Sequence, residues 1–297
     1  MKFPFVLPSQ FPEAPLPIWT EKGFHVGNEI FPVLEYSSNH QGWSDELTFF
    51  HEETAGEDHF MDLASRSHAI RQVRAHCRQS SPVILEVGCS SGFMLRSLLA
   101  HFPNAFVMGS DVVGEPLQKL AASLPHLPLF RFDLTHCPLP DNSIDVVILL
   151  NVLEHIKNDE AAMRQVYRIL KPGGVAIIEA PASPHLYDAY DEMLCHFRRY
   201  TLASLCSLAA QSAFHITKAT HLGCFIYPGF WLVKKKNRKL LSKEEAVKRS
   251  LVEKNIRQTG CNPILKLLIK LELAIGKRVS YSFGIRCLLS CTKPKLQ

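Results

Sequence analysis

The chain has 297 residues, a hydrophobic content of 46% and a formal net charge of +5 at pH 7. This length is long for one domain and short for two independent ones, and the apolar content is enough for a full core, which excludes a disordered or fibrous protein. The sequence has no uncharged apolar run of 18 residues, so no transmembrane helix is expected.

The N-terminus and the cysteines indicate the compartment. Only Lys2 precedes an apolar stretch that prolines interrupt, which is a poor signal peptide. The nine cysteines form no C-x-x-C pair, and although Cys287 and Cys291 share one face of a predicted strand, no second pair completes a zinc site. We expect buried thiols, a cytoplasmic protein and no metal site.

The first 80 residues predict two segments outside the main body. Residues 1–45 hold six of the 19 prolines and predict a Pro-rich arm that lies extended over the body. Residues 46–80 return to the helical period and predict a helical lid. His51, Glu52 and His59 lack the H-E-x-x-H spacing that places two histidines on one helical face, so this segment predicts no metal site.

The most informative segment is VILEVGCSSG, residues 83–92, an apolar strand that ends in a tight turn of small residues. A second apolar run closes on Asp111 about twenty residues later. In an open parallel sheet, a glycine turn lets the backbone approach a nucleoside, and an acid at the tip of the next strand accepts hydrogen bonds from the ribose hydroxyls. The two segments therefore predict a nucleoside site.

The turn also indicates which nucleoside fits. A dinucleotide needs G-x-G-x-x-G because its pyrophosphate sits against bare backbone, but Ser90 and Phe93 occupy the second and third glycine positions. S-adenosylmethionine has no phosphate and tolerates this turn. Asp133 follows a third predicted strand, where its carboxylate can accept from the adenine amino group.

With PLPDNSIDVVILLNVLEHI (138–156) and RILKPGGVAIIEAP (168–181), these segments resemble class I S-adenosylmethionine-dependent methyltransferases, of the type 11/12 kind, over about residues 80–225. Ser90 stands where that family most often has glycine. The resemblance implies a Rossmann-like α/β fold: a seven-stranded, mostly parallel sheet with helices on both faces and an antiparallel last strand. It implies S-adenosylmethionine as cofactor, bound by Glu86, Gly88, Cys89, Ser90, Gly92, Asp111, Val112, Asp133, Leu134 and Asn151. It also implies that His59, Phe60 and Arg66 of the lid line the methionine end.

Strands and helices alternate through residues 81–224, which we assign to the cofactor-binding core. Strands are predicted near 83–87, 106–110, 129–132, 144–150, 175–180 and 215–223, and helices near 92–102, 115–124, 159–170 and 201–212. Residues 225–281 predict a basic helical insertion. Residues 282–297 predict the final strand, at 284–291, and a tail.

The basic charge is concentrated at the C-terminal end. Residues 234–297 contain 17 Lys and Arg against 4 Asp and Glu, a net of +13, so the other residues have a net of −8. Lys234–Lys239 form a cluster, and an apolar stripe runs from Ile264 to Ile275. Such a helix can bind an anionic membrane surface or pack on its own core, and we keep both alternatives.

Residues of the acceptor site are predicted after the fourth and fifth strands of the core. Asn151-Val152-Leu153-Glu154 lacks the Asn/Asp-Pro-Pro-aromatic signature of the family's base-methylating members, so a nucleic-acid acceptor is disfavoured. The loop 180–201 is dense in aromatic and ionisable residues, which favours acceptor binding. We assign acceptor binding to Tyr190, Arg198, Arg199 and Tyr200, and the role of general base to His196 or, second, His155.

The stretch HFRRYT, residues 196–201, recurs in the subgroup of the family that is often linked with glycan or lipid-linked sugar pathways. The predicted function is therefore methyl transfer to a small-molecule, glycan or lipid-linked acceptor, at oxygen. Two alternatives stay open: a methyltransferase of a quinone precursor or a protein side chain, and a non-catalytic S-adenosylmethionine-binding subunit. Acceptor and oligomeric state are not given by the sequence.

Overall fold

The computed structural model describes residues 3–37, 44–241 and 262–295, together with 244, 246–247, 249–250 and 253–254. The N-terminal arm forms a small antiparallel sheet of three strands, β1 (Ile18–Thr20), β2 (Gly23–Val26) and β3 (Glu29–Phe31). Phe24 of β2 is fully buried, and its ring lies 5.2 Å from that of Phe130, centroid to centroid. The arm is therefore a folded part of the core, where an extended segment was predicted.

The main sheet has eight strands: β4 (Val33–Glu35), β5 (Val83–Val87), β6 (Phe106–Asp111), β7 (Leu129–Arg131), β8 (Ile144–Leu150), β9 (Leu170–Pro181), β10 (His215–Leu222) and β11 (Arg286–Thr292). Their spatial order is β10-β11-β9-β8-β5-β6-β7-β4. β11 pairs antiparallel with both of its neighbours, and the other pairs are parallel. The seven predicted strands are present, and the last one is antiparallel as predicted.

The predicted count of seven strands is wrong because β4 adds an eighth. Val33 and Leu34 are buried, and β4 pairs in parallel with β7 at the edge of the sheet. A strand of three residues within a proline-rich segment is too short to show the period-two alternation by which strands are recognised. The residues of β4 therefore show no alternation from which a strand could be predicted.

The helices are α1 (Asp45–Ala55), α2 (Phe60–His76), α3 (Phe93–His101), α4 (Glu115–Ser123), α5 (Asp159–Ile169), α6 (Ala189–Met193), α7 (Leu202–Gln211), α8 (Tyr227–Asn237) and α9 (Pro263–Ile275). Side chains of α5 and α7 belong to one core cluster, and side chains of α2, α3 and α4 to another. β5 and β8 contribute alternate residues to each cluster. The central strands are therefore buried on both faces, which explains their continuous apolar sequence.

The described part of the insertion is mostly helical. α8 and α9 pack with the start of α2 around Ile226 and Ile269. The Lys234 side chain is only 5% exposed, and its Nζ lies 2.6 Å from Asp188 Oδ1 and 2.8 Å from Asp191 Oδ2. The predicted surface cluster 234–239 therefore includes one internal cation. No helix among the described residues is long and apolar enough to cross a membrane.

Candidate functional site

One large cavity opens at the carboxyl ends of β5, β6, β7 and β8, with α2 and α8 on the opposite side. Its volume is about 1230 Å³. Ligand pockets usually measure about 300–1,000 Å³, so this cavity has room for a cofactor and a second molecule. Ligand sites of open α/β sheets lie at this edge of the sheet.

The turn after β5 forms one end of the cavity. Gly88 has a φ of +73°, and a Cβ there would lie 2.5 Å from Val152 Cγ2, so only glycine fits. The Ser90 N–H donates to Asp111 Oδ2 at 2.8 Å, and the Val112 N–H donates to Asp111 Oδ1 at 2.7 Å. Asp111 thereby fixes the turn and also lines the cavity.

Most of the predicted cofactor residues line this end: Glu86, Gly88, Cys89, Ser90, Asp111, Val112, Asp133, Leu134 and Asn151. Gly92 is the exception. It is the residue before α3, with a φ of +76°, and a Cβ there would meet Leu120 rather than the cavity. Its contact with the cofactor stays a prediction, and its left-handed backbone, which requires glycine, serves the packing of the turn.

The charges at this end fit an adenosyl group. Glu86 Oε2 is buried and has no hydrogen-bond partner among the described residues, and burial, helped by Asp111, raises the pKa of Glu86 well above its usual range. Asp133 accepts from the Thr135 N–H at 2.8 Å while lining the cavity. Carboxylates at these strand ends can accept from ribose hydroxyls and an adenine amino group, and the turn after β5 has Ser90 and Phe93 in place of the glycines of a phosphate turn.

Phe60 and Arg66 of α2, and His59 just before it, line the cavity, and their contact with the methionine end of the cofactor stays a prediction. Sequence reasoning missed the ion pairs that attach this helix to the sheet. Arg286 of β11 donates to Glu179 at 2.8 Å and to Asp62 at 2.8 Å. Arg286 also lines the cavity, and the only available signal was a charged residue at the start of an apolar strand.

Glu154, His155 and His196 lie together in the other part of the cavity. The two imidazole rings meet edge to face, with centroids 4.7 Å apart. His196 Nδ1 lies 2.9 Å from Asp191 Oδ1, a buried carboxylate to which Arg199 and Lys234 also donate. Asp191 therefore fixes the orientation of the His196 ring.

The charges in this part of the cavity depend on burial. Burial raises the pKa of Glu154 to about 8. Burial lowers the pKa of His196, although its bond to Asp191 opposes the shift. Burial would raise the pKa of Asp191, but its hydrogen bond with His196 and the charges of Lys234 and Arg199 outweigh burial and hold that pKa below its usual range. Burial therefore favours the neutral form of the His196 ring, and the neighbouring cations favour the anionic form of Asp191.

The predicted acceptor residues have different outcomes. Tyr190 and Arg199 line the cavity, although Arg199 is bound to Asp191 and to the Ala182 carbonyl. Arg198 and Tyr200 are not among the residues that line it, and their contact with the acceptor stays a prediction. Arg198 pairs with Asp159 at 2.7 Å, and the buried Tyr200 hydroxyl donates to the same carboxylate at 2.7 Å. The composition of the loop did not show which face each side chain would take.

Comparison with known proteins agrees with this geometry. A family profile described as "Methyltransferase domain" matches residues 85–178. A Mycolicibacterium smegmatis protein named "Probable S-adenosylmethionine-dependent methyltransferase" is 28% identical over 153 residues, which is 51% of this chain and 59% of that protein. Malonyl-[acyl-carrier protein] O-methyltransferase of Dechloromonas aromatica is 32% identical over 160 residues, 50% of this chain and 57% of that protein. The chain thus spans less than two thirds of these curated relatives.

Solved structures show the same fold. Phosphoethanolamine N-methyltransferase 2 of Haemonchus contortus, in complex with S-adenosyl-L-methionine, aligns with a TM-score of 0.54 at 18% identity, over 84% of this chain and 57% of that one. At this identity the likeness concerns the fold alone. The matched segment 85–178 includes the glycine turn, Asp111 and Asp133. Residues 85–178 are therefore similar to a methyltransferase domain, and the relative named as S-adenosylmethionine-dependent agrees with the cofactor predicted from the sequence.

Proposed function

We propose that the protein transfers a methyl group from S-adenosylmethionine to an oxygen atom of an acceptor that binds in the same cavity. The observation that carries this proposal is that the two ends of one cavity are lined by chemically different groups. Strand-end acids and the Gly88 turn suit a nucleoside at one end. At the other end lies a pair of histidines, of which His196 is held by Asp191.

When bound, S-adenosylmethionine supplies an electrophilic methyl group on a sulfonium ion. The protein's part is to hold the acceptor and to remove its proton. Positioning alone can contribute roughly 7 kcal/mol or more to such a displacement. An oxygen acceptor also gains from deprotonation, which favours a function for His196 and His155 beside the acceptor. Phe197 N–H donates to the Glu154 carbonyl at 2.8 Å, so the loops that contain these histidines are joined.

The insertion supports an amphiphilic acceptor such as a lipid-linked glycan. Ile226, Phe230 and Val233 of this region and Leu265 of α9 line the cavity. Beside them, Trp231 is 37% exposed, Leu232 61% and Leu267 58%. Exposed apolar side chains on the same helices as cavity-lining ones suit an acceptor with an apolar tail.

The same region contains exposed basic side chains, including Lys235, Lys236, Lys239 and Lys270. Each basic residue near an anionic membrane contributes about 1 kcal/mol of binding. We propose that the protein works in the cytoplasm and binds peripherally to such a membrane, where a lipid-linked acceptor would be found.

The test measures S-adenosylhomocysteine formation by the full chain, with lipid-linked sugars, soluble hydroxyl compounds and amines as acceptors. Deuterated methyl donor and mass spectrometry locate the transferred group. We expect label on an acceptor oxygen and the highest turnover with a lipid-linked compound. Label on nitrogen or on a protein side chain would contradict the proposal, and so would S-adenosylhomocysteine binding without turnover on any acceptor.

A further inference from the structure

Three side chains that can bind a metal ion lie together at the acceptor end of the cavity. A carboxylate oxygen of Glu154, a ring nitrogen of His155 and a ring nitrogen of His196 all lie within 4.8 Å of one another. Ligands about 2.1 Å from one ion in a tetrahedral site are about 3.4 Å apart, so side-chain shifts of about 1 Å would close the cluster. Two histidines and one carboxylate can bind a transition metal and leave positions open.

Glu154 gives a second, independent indication of a ligand. Its side chain is fully buried, and neither carboxylate oxygen has a hydrogen-bond partner among the described residues. Burial of a carboxylate without a partner is costly. The side chain lines the cavity, where a cation between Glu154 and the histidines would supply the missing partner.

The surroundings of His196 are those of a metal ligand. Its Nδ1 is bound to Asp191 at 2.9 Å, which leaves Nε2 for another partner. Metal-bound histidines commonly bind a carboxylate through their other nitrogen, and this contact fixes the tautomer and the ring. Asp191 is itself held by Arg199 at 2.7 Å and Lys234 at 2.8 Å, so its carboxylate cannot turn toward the cavity.

We propose that Glu154, His155 and His196 bind one divalent transition-metal ion of the zinc, manganese or cobalt kind, whose open position takes the acceptor oxygen. The inference rests on the proposed function and replaces the expectation, drawn from other residues, that the chain has no metal site. The bound hydroxyl would lose its proton to water. Its oxygen would then form the bond to the methyl carbon as the sulfur–carbon bond breaks, so that neutral S-adenosylhomocysteine leaves.

The test uses Co²⁺, because its visible absorption reports coordination directly. The full chain is stripped with a chelator and titrated with Co²⁺, followed by absorption and calorimetry. We expect one ion per chain. Glu154→Gln, His155→Gln and His196→Gln should each weaken binding by about tenfold or more, and Asp191→Asn should weaken it by about tenfold through the orientation of His196.

Glu160→Gln and His126→Gln, at exposed positions, are matched controls that should bind Co²⁺ like the unaltered chain. S-adenosylhomocysteine affinity, measured for every variant, shows that the cofactor half is folded. Absence of a stoichiometric Co²⁺ site, or unchanged Co²⁺ affinity in Glu154→Gln, would overturn the metal site. Full turnover of the metal-free chain would overturn it too while leaving the proposed methyl transfer intact, whereas loss of S-adenosylhomocysteine binding in the unaltered chain would overturn the methyl transfer.

Discussion

Asp111 has two tasks, since its carboxylate holds the turn through Ser90 and Val112 and also faces the cavity. Asp111→Ala should weaken S-adenosylhomocysteine binding by about 1–3 kcal/mol, because a buried hydrogen-bonding group loses its partner. Calorimetry on the folded variant measures this, with Glu13→Ala as an exposed control. Unchanged affinity would remove Asp111 from the cofactor site.

A change at His196 distinguishes the chemistry at the acceptor end of the cavity from cofactor binding at the other end. His196→Ala should lower turnover by about 100-fold or more, because the acceptor oxygen loses its activating group, whether base or metal ligand. The affinity for S-adenosylhomocysteine should stay within about twofold, because His196 contacts Asp191 and His155 rather than the Gly88 turn. His126→Ala is the control. If cofactor affinity falls with turnover, the loop after β9 belongs to the cofactor site.

At single positions, the sequence identified groups that follow strands but not the direction of loop side chains. Asp111 and Asp133 were found because a parallel sheet brings the ends of its strands together. Tyr200 was assigned to the acceptor, but it forms a parallel bridge with Ala182 and points into the core. The ion pair between Asp191 and Lys234 was missed because 43 residues separate the two in the chain.

Among the helices, α8 and α9 have exposed apolar side chains that do not pack in the core. On α9, Ile269 is 3% exposed, whereas Ile264 is 66% and Leu271 48% exposed. The stripe predicted from Ile264 to Ile275 is therefore divided between packing and solvent. Periodicity could show that the helix is amphipathic, but not that two of its faces are apolar.

This surface predicts binding to anionic vesicles. Replacing Lys235, Lys236 and Lys239 together by Gln should weaken binding by about 3 kcal/mol, because each lysine contributes about 1 kcal/mol. Co-sedimentation with anionic and neutral vesicles at several salt concentrations measures it. Exposed lysines of the body, Lys22 and Lys119, replaced by Gln, are the control. Binding that ignores lipid charge and salt would contradict membrane attachment.

For the whole molecule, the alternation of strands and helices was predictable because apolar strands and amphipathic helices have different periods. The antiparallel pairing of the last strand, β11, agrees with the resemblance to class I methyltransferases. The folded arm was not predictable, because Phe24 and Leu34 are buried by tertiary contacts that no local pattern shows. The Lys234–Asp188 and Arg286–Asp62 pairs join distant segments in the same way.

The free energy of unfolding should fall at acid pH, because the buried His68 ring is neutral in the folded protein and resists protonation. Burial, with the nearby charges of Arg71 and Lys218, lowers the pKa of His68 to about 3. Its contribution to the free energy of unfolding is complete above the ordinary pKa of about 6.5 and is lost as the pH falls toward 3, by about 2 kcal/mol at pH 5.

Urea unfolding at pH 7 and pH 5 measures this effect. His68→Gln should lose less stability between the two pH values than the unaltered chain, and His126→Gln should lose as much. An equal loss in His68→Gln would show that other groups dominate the acid response.

The central claim is that the cavity binds an adenosyl sulfur compound and not a dinucleotide. Calorimetric titration of the full chain with S-adenosylhomocysteine and with NAD tests this claim most directly. The structure predicts one S-adenosylhomocysteine per chain and far weaker binding of NAD, because Ser90 and Phe93 stand where a phosphate turn has glycine. Tighter binding of NAD, or no binding of S-adenosylhomocysteine, would contradict it.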